Sequence, residues 1–541
     1  MNKYNKVDAA VILASGKGER MQPLTFDTPK PLLKVNGEVL IERLIKQLKE
    51  KNINDIYVVV GYLKDKFEYL IEKYNVKLIY NDEYLNKNTL SSLYKVISSL
   101  KKKNFYIVYS DLYFINNLFN TEEICSNFKS IYIDKDNEEW PLIINEKGYI
   151  SDIIKKGAKS YVMVGIAYFN KKDAEILFKF CEILYNEKYS DKLYWEEILL
   201  RYLRDFEPIK VEKIPKGLLF EFDDYETLKD FDKEIDTGCT SMQIIKKIFS
   251  VPEKDIIIRQ IMANGITNYS FLFEINGLNG KFLMRVPGYG TDKFIDRKIE
   301  TKILTQMQKL NITEDILYID DNGYKISKYI EDCRTINVNN ESDLKFAMSI
   351  LKKLHKTDLY IENTKNLFDW VKMYETDVER LKLEFLYDDY EILKNKIHIM
   401  IDNLKLTSRK KGFCHGDANP TNILIKGDIY KFIDFEYTNI FDQAYEISMF
   451  ALNCGFDHIK ALELLKYYLD SDGDVNIFEG LQINEIEELI LKYYAISEYY
   501  SYLWALVMQY NKGIDYVDYI TDYHIKLLNV LKFIEEGKNK S

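Results

Sequence analysis

The stretch VDAAVIL (7–13) is an apolar run that breaks directly into Ser15-Gly16-Lys17-Gly18, and the residues up to Asp111 then alternate helix-like with strand-like segments. Residues 40–50 have helical periodicity, 55–62 (DIYVVVGY) read as strand and 65–74 as helix. Residues 77–81 read as strand, 90–100 as helix and 105–111 (FYIVYSD) as another buried strand. Strands in this order are joined through helical crossovers, so they predict a mostly parallel, Rossmann-like α/β sheet covered on both faces. Such sheets bind ligands beyond the carboxyl ends of their strands, where Ser15, Gly16, Gly18 and Asp111 all fall.

The loop after the first strand reads Leu13-Ala14-Ser15-Gly16-Lys17-Gly18-Glu19-Arg20-Met21-Gln22-Pro23-Leu24-Thr25. Glycines let backbone N–H groups approach a triphosphate, and nearby cations offset its charge. Arg20 and Lys30, in Thr28-Pro29-Lys30-Pro31, are the candidate phosphate ligands. The string matches neither a Walker A loop nor a dinucleotide fingerprint. Asp111, ending a buried strand, is placed to hold Mg²⁺, a hard ion that takes oxygen donors and lets phosphates complete its shell. Glu221-Phe222-Asp223-Asp224 offers a second acidic ligand. Alone, each acid reads as a turn or a surface charge; the ordered combination points to nucleotide chemistry.

The alternation fades after about residue 235, and the polar segment 230–242 (DFDKEIDTGCTSM) marks a boundary between domains 1–235 and 236–541. Beyond it, 270–275 and 281–286 read as a hairpin around NGLNG, an amphipathic helix covers 294–310, and strands follow near 316–319 and 324–329. Long helical stretches begin at 341. A small β-rich lobe (about 243–332) before a helical lobe (about 333–541) predicts a bilobal α+β, protein-kinase-like fold. The most specific signal lies in the second lobe: His415-Gly416-Asp417-Ala418-Asn419-Pro420-Thr421-Asn422, then a strand, then Asp434-Phe435-Glu436-Tyr437. A kinase needs such parts in this order. Asp417 would orient and deprotonate an acceptor hydroxyl, while Asn422 and Asp434 would hold Mg²⁺ on ATP. His415 reads as a structural hydrogen-bonder of that loop. Upstream, Asn264-Gly265-Ile266-Thr267-Asn268 would cover the phosphates, Arg285 would reach them from a strand, and Glu300 could pair with Arg285. Residues 326–331 would lie against adenine.

The first half resembles the nucleoside-triphosphate transferases, specifically bacterial CTP:phosphocholine cytidylyltransferases. The likeness rests on the glycine loop with Lys30, Val60-Gly61-Tyr62, Asn88 before Ser91-Ser92-Leu93-Tyr94, Ser110-Asp111, Asn137-Glu138-Glu139-Trp140, Leu193-Tyr194-Trp195-Glu196 and Glu221-Phe222-Asp223. It implies that Asp111 and Asp223 hold Mg²⁺ and that Lys30 and Arg20 bind phosphates. It also places Leu13, Ala14, Ser15, Gly16, Gly18, Asn88 and Ser110 at the nucleotide, and Trp140, Tyr194, Trp195 and Glu221 at a trimethylammonium group. A quaternary ammonium donates no N–H, so aromatic faces attract it instead, by about 0.5–2 kcal/mol each. The second half resembles the choline kinase and aminoglycoside phosphotransferase superfamily, through the catalytic loop, Asp434-Phe435-Glu436-Tyr437 and Met284-Arg285-Val286-Pro287-Gly288. That likeness implies an aromatic cage for choline from Tyr437, Trp504 and Tyr519. Ser501 stands where some members carry a second Trp, so Tyr500 completes the cage or it is looser.

The two resemblances meet on one metabolite: the chain is expected to make phosphocholine from choline and ATP, and CDP-choline from phosphocholine and CTP. The rival readings are a sugar-nucleotide pyrophosphorylase fused to a sugar, amino-alcohol or aminoglycoside kinase, and a scaffold with inactive sites. A net charge of −10 argues against nucleic-acid partners. Six scattered cysteines without a CxxC pair, no membrane-length apolar run and no signal peptide predict a cytoplasmic protein.

Overall fold

The computed structural model describes residues 4–134, 139–155, 159–262, 267–293, 295–359, 361, 364–385, 387–407, 409–472, 477–512 and 515–538. The chain divides into two compact units, Met1–Tyr289 and Gly290–Ser541.

The first unit is built on a nine-stranded sheet. Its strands are β1 (Ala9–Ala14), β2 (Asp55–Val60), β3 (Lys77–Tyr80), β4 (Phe105–Tyr109), β5 (Asn127–Ile133), β6 (Pro141–Ile144), β7 (Ile150–Ile153), β8 (Ser160–Phe169) and β9 (Lys210–Lys213). The path runs β7-β6-β8-β4-β1-β2-β3, with β5 beside β8 and β9. Strands β4, β1, β2 and β3 pair in parallel, as the alternation predicts. The other half differs: β8 pairs antiparallel with β4, β5 and β6, so the sheet is mixed. Among the described residues of 127–169 the strands follow one another with no crossover helix between them, which is what allows antiparallel pairing.

Period two decides which side chains face which layer. Ala9, Val11 and Leu13 enter one core with α2 (Thr89–Leu100) and α3 (Lys171–Tyr185). Ala10, Ile12 and Ala14 enter another with α1 (Leu40–Glu50), through Ile41, Leu44, Ile45 and Leu48. Every residue of β1 is buried, as a central strand covered on both faces requires.

The segment after residue 235 stays attached to this unit. The carboxylate of Asp27 accepts the backbone N–H groups of Thr240 and Ser241 at 3.2 and 2.9 Å, at the start of α4 (Thr240–Phe249). An antiparallel meander follows, β10 (Ile256–Met262), β11 (Asn268–Ile275) and β12 (Phe282–Pro287). Tyr269 of β11 stacks on Phe26, with ring centroids 4.7 Å apart and planes 9° apart. Compactness therefore breaks at 289/290, well after the composition shift at 235.

The second unit begins with α5 (Arg297–Lys309) and a hairpin of β13 (Ile316–Ile319) and β14 (Lys325–Lys328). Then come α6 (Glu341–His355), α7 (Leu367–Leu381) and α8 (Tyr390–Leu406). Two short antiparallel pairs frame the catalytic-type loop: β15 (Gly412–Cys414) with β18 (Asn439–Phe441), and β16 (Ile423–Lys426) with β17 (Ile429–Phe432). The remaining helices are α9 (Ala444–Asn453), α10 (His458–Asp470), α11 (Ile483–Lys512) and α12 (Val517–Lys538). Residues Ala444 to Leu452 of α9 are all buried, so this helix sits inside the core with no solvent face. No described helix is long and apolar enough to cross a membrane. All six cysteines are unpaired.

Candidate active sites

In the first unit a cleft of about 890 Å³ opens beyond the carboxyl end of β1, a volume suited to a nucleotide. Leu13, Ala14, Ser15, Gly16, Gly18, Arg20, Lys30, Asn88, Ser110, Asp111, Tyr194, Glu221 and Asp223 line it, so the structure gathers most of the residues expected there. The loop is held from several sides. Ser15 Oγ lies 2.8 Å from Ser92 Oγ, Tyr62 N–H donates to the Ser15 carbonyl at 3.0 Å, and Thr25 Oγ1 donates to the Gly18 carbonyl at 2.9 Å. Gly18 has φ 64°, and a Cβ there would come within 3.2 Å of both Lys30 Cβ and Thr25 Cγ2. Glycine alone fits this left-handed, crowded position without strain. Asn88 caps α2, its side chain accepting the Thr89 N–H at 2.9 Å.

The charged groups of the cleft are paired with one another. Lys30 Nζ sits 2.8 Å from Asp111 Oδ2, and Arg20 Nη1 sits 2.8 Å from Asp223 Oδ1. The other oxygen of Asp111 is buried with no protein partner. Glu221 meets solvent at the cleft wall. Confinement there, then the charge of Asp111, raises its carboxyl, while Lys30 opposes the shift. Sequence reasoning did not single out Glu196 as a site residue. Burial pushes its carboxyl up to about 7, with Tyr109 donating to Oε1 at 2.6 Å and Oε2 unpartnered.

The aromatic residues divide. Tyr194 is exposed at the cleft, and Trp140 meets its ring edge-on with centroids 6.2 Å apart. Trp195 is a correction: it is fully buried, stacked on Phe128 at 5.7 Å and edge-on to Phe169 at 6.1 Å. Adjacent residues at a helix start point in different directions, and Trp195 takes the core direction. Asn137 and Glu138 lie outside the described residues.

In the second unit Asp417, Asn422, Asp434 and Tyr437 come together. Asn422 Nδ2 donates to Asp417 Oδ2 at 3.1 Å and to the Asp417 carbonyl at 3.0 Å. Asn419 Nδ2 reaches Oδ2 at 3.3 Å, and Asn453 of α9 reaches Oδ1 at 3.3 Å. Asp417 is half-buried. Desolvation and then the charge of Asp434 push its carboxyl up to about 7, against these amide donors. His415 Nε2 is 3.0 Å from the Ile433 carbonyl, and Nδ1 accepts the Asp417 N–H at 3.3 Å. Burial lowers its pKa. A neutral ring with both nitrogens engaged is a loop support, as expected. Asp434 has φ 66°, a strained conformation for a residue with a side chain, of the kind concentrated at functional sites.

Ligand oxygens of Glu300, Asp434 and Glu436 lie within 4.8 Å of one another, a set of hard donors that suits Mg²⁺. Arg297 Nη1 contacts Glu300 at 2.9 Å and Glu436 at 3.4 Å, so Arg297 is a neighbour of Glu300 that the sequence did not announce. Tyr437 packs edge-on against Trp370 at 5.5 Å. Tyr374, one turn from Trp370, faces Tyr500 at 5.6 Å. Burial, then the nearby Tyr374, Asp417 and Tyr523, raises the Tyr500 phenol, which ties this wall to the catalytic-type loop. Trp504 meets Tyr516 at 5.7 Å, and Tyr516 meets the exposed Tyr519 at 5.9 Å. Trp370 and Tyr374 were missed, although their i,i+4 spacing marks one helix face. In the first unit, Asn268 and Arg285 stand on neighbouring strands of the meander, Arg285 opposite Ser270. Asn264, Gly265 and Ile266 lie outside the described residues.

Comparison with known proteins finds a related domain in each half of the chain. A MobA-like NTP transferase domain matches residues 10–144, and a choline/ethanolamine kinase domain matches residues 259–527. The choline-phosphate cytidylyltransferase of Streptococcus pneumoniae is 35% identical over 227 residues, 41% of this chain and 98% of its own length. The 2-aminoethylphosphonate cytidylyltransferase of Lancefieldella rimae is 34% identical over 41% of this chain and 91% of its own length. The crystal structure of choline kinase LicA from Streptococcus pneumoniae aligns with 54% of this chain and 98% of its own, at 22% identity and a TM-score of 0.43. By the two domain matches and these sequence relatives, the chain belongs to the MobA-like NTP transferase family through its N-terminal half, where the two relatives named are cytidylyltransferases, and matches a choline/ethanolamine kinase domain over residues 259–527.

Proposed function

We propose that the chain is bifunctional: residues 236–541 phosphorylate choline with ATP, and residues 1–235 transfer CMP from CTP to the resulting phosphocholine, releasing pyrophosphate. The observation that carries this reading is the presence, in one chain, of a nucleotide cleft with a buried, unpartnered Asp111 oxygen and a kinase loop whose Asp417 adjoins an aromatic wall.

In the kinase half, Asp417 takes the proton of the choline hydroxyl as its oxygen attacks the terminal phosphorus of ATP. A carboxyl raised to about 7 is basic enough to accept that proton. Tyr437 and Tyr500, backed by the buried Trp370 and Tyr374, offer aromatic faces to the methylated ammonium. In the other half, the phosphocholine oxygen attacks the α-phosphorus of CTP. The main-chain N–H groups of the glycine loop, with Lys30 and Arg20, align and neutralise the triphosphate. Mg²⁺ fits both donor sets. Asp111 and Asp223 would hold it in the first, Asn422 and Asp434 in the second, and there it would neutralise phosphate charge.

A second acceptor class has its own support. Glu196 keeps a buried, unpartnered oxygen near the cleft, and Trp195 has withdrawn into the core. A carboxylate with a spare acceptor suits a primary ammonium that can donate to it, as in an aminoethyl phosphonate or phosphate. Assaying CMP transfer to phosphocholine, phosphoethanolamine and 2-aminoethylphosphonate decides between them. Preference for phosphocholine supports the first reading; preference for a primary amine replaces it.

A further inference from the structure

Residues 24–28 stand between two groups of the first cleft, Gly18 and Lys30, and CMP transfer as described leaves them without a role. Thr25 Oγ1 donates to the Gly18 carbonyl at 2.9 Å, and Lys30 follows Thr28 by two residues. A Cβ on Gly18 would come within 3.2 Å of both Lys30 Cβ and Thr25 Cγ2, so the three residues pack as one group. Leu24, Thr25, Phe26, Asp27 and Thr28 are all buried. A loop this short does not bury itself; its neighbours cover it.

Three neighbours hold the segment within the first unit. Burial, then the adjacent Tyr269, raises the Tyr62 phenol, so its hydroxyl stays protonated and donates to the Thr25 carbonyl at 2.7 Å. Asp27 accepts the backbone N–H groups that open α4, and Cys239 Sγ reaches the Leu24 carbonyl at 3.4 Å. These two holds grip the backbone and the end of the segment. The Phe26 ring, in the middle, is fixed by Tyr269, with the two planes 9° apart and the centroids 4.7 Å apart. Stacked aromatic pairs contribute beyond the area they cover.

Tyr269 is a stiff support on a strand from the other half of the sequence. It lies past the composition shift at 235, beside Asn268, a residue expected at ATP. Its strand, β11, is the middle of the meander and pairs with β10 on one edge and β12 on the other. Residues Leu24–Phe26, by contrast, form a single 3₁₀ turn. A turn that short has few internal hydrogen bonds, so its position depends on what packs against it.

We infer that Tyr269, carried by the half of the chain read as kinase, is a positioning residue for the cytidylyl-transfer site. Its ring holds Phe26, and through Thr25 it keeps Gly18 and Lys30 where the triphosphate of CTP meets them. This rests on the CMP-transfer reading above. A looser loop spends less time in the competent position, which raises KM for CTP and spares kcat once CTP saturates. Phosphocholine binds elsewhere in the cleft, so its KM does not change.

The test compares Tyr269→Ala and Tyr269→Phe in the full chain, by steady-state CMP transfer and by amide hydrogen exchange at Met21. The Met21 N–H donates to the Gly18 carbonyl at 2.9 Å, so its exchange reads the order of the loop. The expected result for Ala is KM for CTP up about tenfold, with kcat and KM for phosphocholine within about twofold of wild type. Phe keeps the ring and restores KM for CTP, and Met21 exchanges faster only in Ala. In a Phe26→Leu background the stack is already gone, so Tyr269→Ala raises KM for CTP by no more than about twofold further. An unchanged KM for CTP in Ala overturns the inference. So does a loss confined to kcat, as a smaller active fraction would give, or a further tenfold rise in the Phe26→Leu background. If Ala does not fold, Tyr269→Leu decides: apolar cover without a flat ring raises KM for CTP about threefold, and an unchanged value overturns the inference. A wild-type chain that transfers CMP to none of phosphocholine, phosphoethanolamine and 2-aminoethylphosphonate defeats the CMP-transfer reading instead. Met21 exchange then still reads the positioning role, which unchanged exchange in Ala would refute.

Discussion

Lys30 Nζ stands 2.8 Å from Asp111 Oδ2, while the second oxygen of Asp111 is buried without a protein partner. The pair joins a cation suited to phosphate and a carboxylate suited to a metal, and each offsets the other's charge. Asp111→Asn should therefore lower kcat for CMP transfer by about 10²–10³-fold, as loss of one preorganised electrostatic group typically does. Phosphotransfer to choline by the same chain stays at the wild-type rate. Both are read with purified protein supplied separately with phosphocholine and CTP, or choline and ATP.

The two tryptophans near the first cleft should behave oppositely. Trp140→Ala removes an aromatic face beside Tyr194 and raises KM for phosphocholine about 2–30-fold, the equivalent of about 0.5–2 kcal/mol. Its thermal unfolding changes little.

Trp195→Ala empties a core position between Phe128 and Phe169, so it destabilises the first unit by about 3–5 kcal/mol. KM for phosphocholine in the folded fraction is unchanged. Chemical unfolding and saturation kinetics on the same preparation separate the two effects.

Much of this was legible in the sequence. The crossover order of β1 to β4, the glycine loop, Asp111 and the spacing from Asp417 to Asp434 are local patterns, and local patterns carry strand order and loop chemistry. The antiparallel half of the sheet was not legible, because 127–169 lacks the alternation that announces crossovers. Nor was the direction of Trp195, since neighbouring Tyr194 and Trp195 differ only in which tertiary surface each meets. Glu446 and Asn453 reach the catalytic-type loop from α9, and nothing in their own neighbourhoods marks them. The attachment of 236–289 to the first unit depends on contacts such as Phe26 with Tyr269 and Asp27 with α4, which no composition shift reveals.

Glu498 on α11 makes stability depend on pH. It is fully buried, and burial pushes its carboxyl up to about 8, with the Tyr494 hydroxyl and the charge of Lys526 opposing the shift. In the unfolded chain a glutamate titrates near 4.3. The folded state therefore binds an extra proton between about pH 4.3 and 8, and this contribution is complete below that window and lost as pH rises through 8. Glu498→Gln carries no such proton. Its melting temperature should match or slightly exceed wild type at pH 5 and exceed it increasingly up to pH 9, by the equivalent of about 1–3 kcal/mol. A gap that stays constant across pH would contradict the protonated, buried carboxyl.

The most direct measurement supplies the full chain with choline, ATP, CTP and Mg²⁺ and follows phosphocholine and CDP-choline together. The account predicts CDP-choline from the wild type, accumulated phosphocholine from Asp111→Asn, and no product from Asp417→Asn until phosphocholine is added. Failure of the wild type to form CDP-choline, or loss of both steps from either single substitution, would contradict two independent transferase sites acting in sequence.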